Sequence, residues 1–204
     1  MDVTLRYENI LLYMIVVSID IGYHNLGLVK SYIDDKTFEI KILEIFKINL
    51  STLPHKKIKR IDCKLHHTSE IVDSVAHFIQ EYEDYFNEAD KILVERQPPM
   101  GLTNIEALIM YTYREKTELI SPNAMHKHFH INFLDYEKRK ERTVEIAESF
   151  LESFENYQEL SRKHDIADAV CMIIFRFAKD KEKFRLSQVD RSLPFDCFIY
   201  QKCS

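Results

Sequence analysis

Four carboxylates, Asp20, Glu95, Asp165 and Asp168, sit where a fold could bring them together. Asp20 ends the apolar run "MIVVSID", residues 14–20, and Glu95 follows "ILV", residues 92–94. Short apolar runs that stop at an acid read as buried strands, and adjacent parallel strands carry such ends to the same edge of a sheet. Asp165 and Asp168 lie three apart in "HDIADAV", which points both from one face of a helix. Each acid alone has an ordinary role: Asp165 as an N-cap or dipole partner, Asp168 as a partner of a surface lysine, Glu95 as a solvated strand end. Converging out of water, however, four carboxylates repel and stay ionised together only beside cations. All-oxygen ligands suit Mg²⁺ or Mn²⁺. Two such ions about 3.5–4 Å apart clamp the attacking and leaving oxygens of an in-line phosphoryl displacement, the chemistry of phosphodiester hydrolysis. Gly22 lets the backbone turn beside Asp20 and leaves room for a phosphate.

The elements that must position these acids follow from periodicity. Residues 14–21, 26–33 and 38–50 read as three strands joined by short turns, hence an antiparallel meander; in the third, Phe38, Ile40 and Ile42 alternate with Glu39 and Lys41. A helix is predicted over 66–86, with Ile71, Val75, Phe78, Ile79, Tyr82 and Phe86 on one face. "KILVERQPP" is a short strand stopped by prolines. Thr103 and Glu106 have capping-box spacing and open a helix to about residue 115. "ELISP" is a fifth strand, and Pro122 suits the first turn of a short helix. Residues 130–140 read as a polar, basic connection. Val144, Ala147, Leu151 and Phe154 mark the next helix, and the last runs from Asp165 to about 180 with Ala169, Ile173, Ile174 and Phe177 inward. The predicted class is α/β: a five-stranded mixed sheet, meander first and parallel strands after, flanked by helices.

The 204 residues suit one domain over 1–204, with a core at about 14–180 that Met14 opens as an alternative start, an N-terminal extension at 1–13 before it, and a tail at 181–204. The apolar stretch 10–19 is too short to span a membrane and has no basic flank or cleavage site of a signal peptide. Cys63, Cys171, Cys197 and Cys203 lack CxxC spacing, and the histidines lack HExxH spacing, so we expect a reducing compartment and no zinc site. A net charge of −5 argues weakly against nucleic acid, but bases cluster at 55–64, 137–142 and 179–185. Lys56, Lys57, Lys59 and Arg60, with Arg139 near the chemistry, are the candidate phosphate contacts.

The motifs "SIDIGYHNLG", "ILVERQ", "SPNAMHKHF" and "HDIADAV" follow the order and spacing of the RuvC-like Holliday junction resolvases, which have the RNase H-like fold, and resemble the poxvirus branch most. The resemblance covers about 14–180. It implies a homodimeric, Mg²⁺-dependent endonuclease that cuts four-way DNA junctions by paired symmetric nicks, with two ions per active site and Mn²⁺ as a substitute. In poxviruses such enzymes resolve concatemeric genomes in the host cytoplasm. By position, Asp20, Glu95, Asp165 and Asp168 become the metal ligands. A catalytic lysine falls in the basic connection, where Lys138 and Lys140 both fit. The implied partners are branched DNA and a second copy, with the helix at 103–115 at the dimer contact because Leu108, Ile109 and Met110 make it apolar on more than one side. A membrane and a small-molecule substrate are not expected.

Nearby residues have structural readings too. His24 and Asn25 suit a turn, His164 an exposed helix start, and Tyr111 and Tyr113 packing rather than base stacking. Two rival functions share the core. An actin- or Hsp70-like ATPase lobe also uses an "IDxG" phosphate loop but needs two lobes. A non-catalytic RNase H-like DNA-binding module has no reason to bear the repulsion of four acids. Metal-dependent cleavage of labelled junctions, set against ATP hydrolysis, separates the three.

Overall fold

The structure is a computed structural model that describes residues 13–55, 68 and 70–191. Tyr13–Asp20 (β1), Leu26–Asp34 (β2) and Ile40–Ile48 (β3) form the meander. The β2–β3 turn is held by Asp34, whose Oδ1 accepts from the Lys36 and Thr37 N–H groups at 2.9 and 2.7 Å. Phe38 takes φ 56° in that turn, so β3 starts at Ile40 rather than at Phe38. A 3₁₀ turn follows at Leu50–His55, then Ile71–Glu81 (α1), Glu83–Glu88 (α2), Lys91–Glu95 (β4), Thr103–Thr112 (α3), Thr117–Ile120 (β5), Pro122–His128 (α4), Tyr136–Leu151 (α5), Glu155–Gln158 (α6) and His164–Arg191 (α7).

The sheet order is β3-β2-β1-β4-β5, with β1–β4 and β4–β5 parallel. This is the expected five-stranded mixed sheet, and its alternation splits the core in two. Val16, Val29, Leu93 and Ile120 face α7 and α5, where Ala167, Val170, Ile173, Ala147 and Leu151 cover them. Val17, Ile19, Leu28, Ile92 and Val94 face Val75 and Phe78 of α1 and Ile105 and Ile109 of α3. Fully burying each such aliphatic side chain stabilises by about 1.5–3 kcal/mol before entropy is counted.

Several helix boundaries and caps differ from expectation. The helix predicted over 66–86 is broken at Tyr82 (φ −107°, ψ 21°). The break sets Tyr82 and Tyr85 against Phe46 at 5.5 and 5.3 Å, and Phe86 against Phe78 at 5.5 Å. The basic connection is not a connection throughout: Asp135 caps α5, its Oδ1 accepting from the Lys138 N–H at 2.9 Å, so 136–140 are helical. Phe154 leaves α5 and precedes α6. Thr103 and Glu106 make no capping box, because Leu102 is the N-cap and Glu106 turns to the Gln97 N–H instead. At β5, by contrast, Ser121 accepts from the Ala124 N–H at 3.4 Å with Pro122 in the first turn of α4, as expected. The last helix runs beyond residue 180, to Arg191.

Candidate active site

The strand period places the first two acids. Asp20 shares parity with Val16 and Ser18, and Glu95 with Leu93, so both project to the α7 face. The parallel register pairs Ile19 with Val94, which brings Asp20 level with Glu95. The antiparallel register sets Gly27 opposite Asp20 and Lys47 opposite Gly27. Glu95, Asp20, Gly27 and Lys47 therefore form a row across four strands, from β4 to β3, at the carboxyl end of β1.

The first turn of α7 lies over that row. A Cβ on Gly27 would come within 2.2 Å of the Asp165 carbonyl oxygen, so only glycine lets β2 and α7 approach this closely. One layer further in, Ser18 Oγ donates to the Ala169 carbonyl at 2.8 Å and ties β1 to the same helix. Asp165 and Asp168 are thus held over the strand ends. Asp20, Asp165 and Asp168 are 8%, 4% and 7% exposed, and Glu95 is half-buried.

The electrostatics are those of crowded acids. Burial raises Asp20 well above the usual carboxylate range, and the charges of Glu95, Asp168 and Asp165 push it further, against Lys140. Burial also raises Glu95, against a hydrogen bond from Gln97 that favours its anion. Lys140, on α5, donates to Asp168. Burial pulls this ammonium down, but Asp168 and then Asp20 hold it above its ordinary range. Lys138 is exposed and pairs with Asp135 at 3.2 Å, outside the cluster. The two lysines left open by sequence are therefore in different places. Lys140 points inward because it continues the Thr143, Ala147, Leu151 face of α5 one turn back.

Asp165 is set apart from the other three. Lys47 lies 3.8 Å from its Oδ2, Arg162 Nε donates to the same oxygen at 3.3 Å, and His164 Nε2 stands 3.4 Å from Oδ1. Asp20, Glu95 and Asp168 surround the Lys140 ammonium instead, an excess of negative charge that suits a further cation. Among the described residues, no three His, Cys, Asp or Glu side chains are assembled as a ready-made metal cage. The all-carboxylate donor set, and the mutual repulsion that raises Asp20, fit a hard divalent ion.

Two cavities flank the acids. One, about 340 Å³ and open, is lined by Asp20, Glu95, Asp165, Lys140, Arg162 and the turn Gly22–Asn25. The other, about 150 Å³ and more enclosed, lies against Asp20, Glu95 and Asp168 between α4 and α5, with Met125, His126 and Arg139 on its walls. An open polar groove on one side of a carboxylate row is a shape that admits a phosphodiester backbone.

The profile of the Poxvirus A22 protein family matches residues 14–180. The chain belongs to that family. No curated protein matches it by sequence. Among solved structures, it is similar to the fowlpox virus resolvase in complex with its substrate Holliday junction DNA, at 18% identity and a TM-score of 0.57, over 81% of this chain and 98% of that one. It is similar to the fowlpox virus Holliday junction resolvase at 17% identity and a TM-score of 0.55, over 81% and 99%. The yeast mitochondrial Holliday junction resolvase Ydc2 follows at 16% identity and a TM-score of 0.54, over 86% and 83%. The fold is therefore the RuvC-like, RNase H-like one.

In this family member the remaining candidates divide. Arg139 lines the enclosed cavity, with its Nη1 donating to the Leu134 carbonyl at 3.3 Å. Lys56, Lys57, Lys59 and Arg60 lie outside the described residues, as do Cys63, Cys197 and Cys203. Cys171 is buried, its thiol pushed up by burial. His24 and Asn25 line the open cavity from the β1–β2 turn. His164 is half-buried rather than exposed, and burial lowers it. Tyr113 packs on Phe86 at 5.0 Å, whereas Tyr111 is 86% exposed. Lys47, Arg162, Gln97, His126 and Tyr136 are site residues that periodicity did not pick out. Arg162 had a signal, since it stands three residues before Asp165. No helix among the described residues is long and apolar enough to cross a membrane.

Proposed function

We propose that this protein is a Holliday junction resolvase, a single-domain endodeoxyribonuclease that cuts four-way DNA junctions by paired symmetric nicks. The observation that carries the reading is the level placement of Asp20 and Glu95 under Asp165 and Asp168, with Lys140 among them, on the fold shared with the fowlpox and yeast resolvases. Asp20, Glu95, Asp165 and Asp168 would hold the divalent metal, Mg²⁺ in the cell with Mn²⁺ as a substitute. Two such ions would supply Lewis acidity and a more acidic attacking water.

The chain's own residues do the rest. Lys140 keeps its proton in this anionic setting and presents Nζ to the charge that develops on the scissile phosphate. Lys47 and Arg162 balance Asp165 at the rim of the open cavity, where the DNA backbone enters. Lys138 and Arg139 flank the backbone, and the bases at 56–60 grip a junction arm. A homodimer, joined through the outer face of α3 around Tyr111, sets two such sites across the branch point. Resolution of viral DNA concatemers in the host cytoplasm is the corresponding biological role.

End-labelled junctions incubated with Mg²⁺ test this directly. Paired nicks related by the junction's symmetry, dependent on Asp20 and accompanied by a dimeric sedimentation coefficient, are expected. ATP hydrolysis without nicking would return the ATPase reading, and junction binding without nicking in Mg²⁺ or Mn²⁺ the binding module.

A further inference from the structure

Of the four clustered acids, Glu95 has the longest side chain and is the least buried, so packing alone does not fix its carboxylate. Gln97 does. Its Nε2 donates to Glu95 Oε2 at 2.6 Å, and its Oε1 accepts from the Leu102 N–H at 3.2 Å. The second bond decides the first. With its oxygen committed to a backbone donor, the amide must turn its NH₂ to the carboxylate.

The turn that carries this amide is built around it. Gln97 N–H donates to Glu106 Oε2 at 2.6 Å, which fixes the backbone, and Gly101 N–H donates to the Pro98 carbonyl at 2.8 Å, which closes the turn. A Cβ on Gly101 would lie 3.0 Å from Gln97 Oε1 and 2.9 Å from Pro98 Cδ, so the glycine leaves the amide its place. A neutral donor also orients Glu95 without cancelling its charge, which a lysine or arginine would do.

We propose that Gln97 is a positioning residue that locks the Glu95 carboxylate for divalent-metal binding. This rests on Glu95 being a metal ligand. Outer hydrogen bonds to ligands typically govern metal affinity by about 10–100-fold, and the effect on Glu95 falls in that class.

The test measures Mn²⁺ binding to the DNA-free protein by electron paramagnetic resonance, beside the Mg²⁺ dependence of junction nicking. Gln97→Ala, and Gln97→Met as the variant of similar length, are expected to weaken Mn²⁺ about 10–100-fold. Both should raise the half-activating Mg²⁺ concentration while nicking at saturating Mg²⁺ recovers. Glu106→Ala loosens the same turn and keeps the amide, and should weaken Mn²⁺ clearly less than Gln97→Ala does. Equal losses in Glu106→Ala and Gln97→Ala would assign the effect to the turn and overturn the proposal. So would unchanged Mn²⁺ affinity in both Gln97 variants while Glu95→Gln loses it. Unchanged affinity in Glu95→Gln would instead remove the underlying assignment of Glu95, and the role of Gln97 with it.

Discussion

Lys140 reaches from α5 to Asp168 on α7, 28 residues on, and its ammonium lies where the carboxylates of three elements meet. Lys138, two residues earlier, turns to Asp135 and solvent. A helix separates such neighbours by about 200°, so they cannot serve one site. Lys140→Ala should therefore slow nicking of fully bound junctions by about 10²–10³-fold, the usual scale for losing a donor to developing charge. Lys138→Ala should alter binding slightly and the bound-state rate not at all. Single-turnover rates at saturating enzyme check both.

Gly27 makes a sharper structural prediction. Gly27→Ala puts a methyl group 2.2 Å from the Asp165 carbonyl, backbone against backbone, where no rotamer can yield. The first turn of α7 must lift, taking Asp165 and Asp168 with it. Overpacking of this kind costs about 1–3 kcal/mol, which lowers Tm by roughly 2–12 °C in a chain of this size. Nicking should fall much further than stability does. A variant with full activity and unchanged Tm would show that α7 does not depend on this approach.

How much of this was legible in the sequence depends on the range of the interaction. Asp20 and Glu95 were readable because parity and strand direction are local, and the meander fixed which edge they share. Asp165 and Asp168 were readable as a pair, but their cover of the sheet depends on Gly27, 138 residues before Asp165, and no periodicity records that contact. The choice between Lys138 and Lys140 failed for a local reason. Asp135 is an N-cap, and reading it as one would have extended the Thr143–Ala147–Leu151 face back to Lys140. Glu106 misled for the opposite reason. Its capping-box spacing was present, but the Gln97 N–H from another turn claimed it.

Asp20 links stability to chemistry. Its carboxyl is raised in the folded state by burial first and by its acidic neighbours after. Between the unfolded and folded pKa values the native state binds the extra proton, so stability falls as pH rises through that window. In EDTA, Tm of the wild type should decline as pH is raised from about 4 towards neutrality. Asp20→Asn removes the charge and keeps the shape, so its Tm should decline less and exceed the wild type at pH 7. Each kcal/mol relieved is worth about 2–4 °C. The same variant should bind junctions and fail to nick them. Thermal melts in EDTA, and nicking assays in Mg²⁺, report the two halves separately. Wild-type nicking by this variant would sink the metal assignment.

An overall charge of −5 repels DNA at long range, so binding must come from local bases. Lys56, Lys57, Lys59 and Arg60 are the densest such group outside the chemistry. Each phosphate contact releases counterions, and log K falls with log[salt] by about 0.9 per contact on duplex arms. Replacing all four with Ala should weaken junction and duplex binding alike and flatten the salt slope by up to about 3–4, because phosphate contacts carry no sequence or branch information. Preference for the junction should persist, because the proposed dimer would supply it by setting two active sites across the branch point. Nicking at saturating enzyme should also persist, since the proposed metal ligands and Lys140 are not among the four residues replaced. Fluorescence anisotropy across a salt series, with single-turnover nicking on the same variants, separates grip from chemistry. If the four-base variant bound normally, or lost cleavage of junctions already bound, the division between residues 56–60 and the Lys140 site would be wrong.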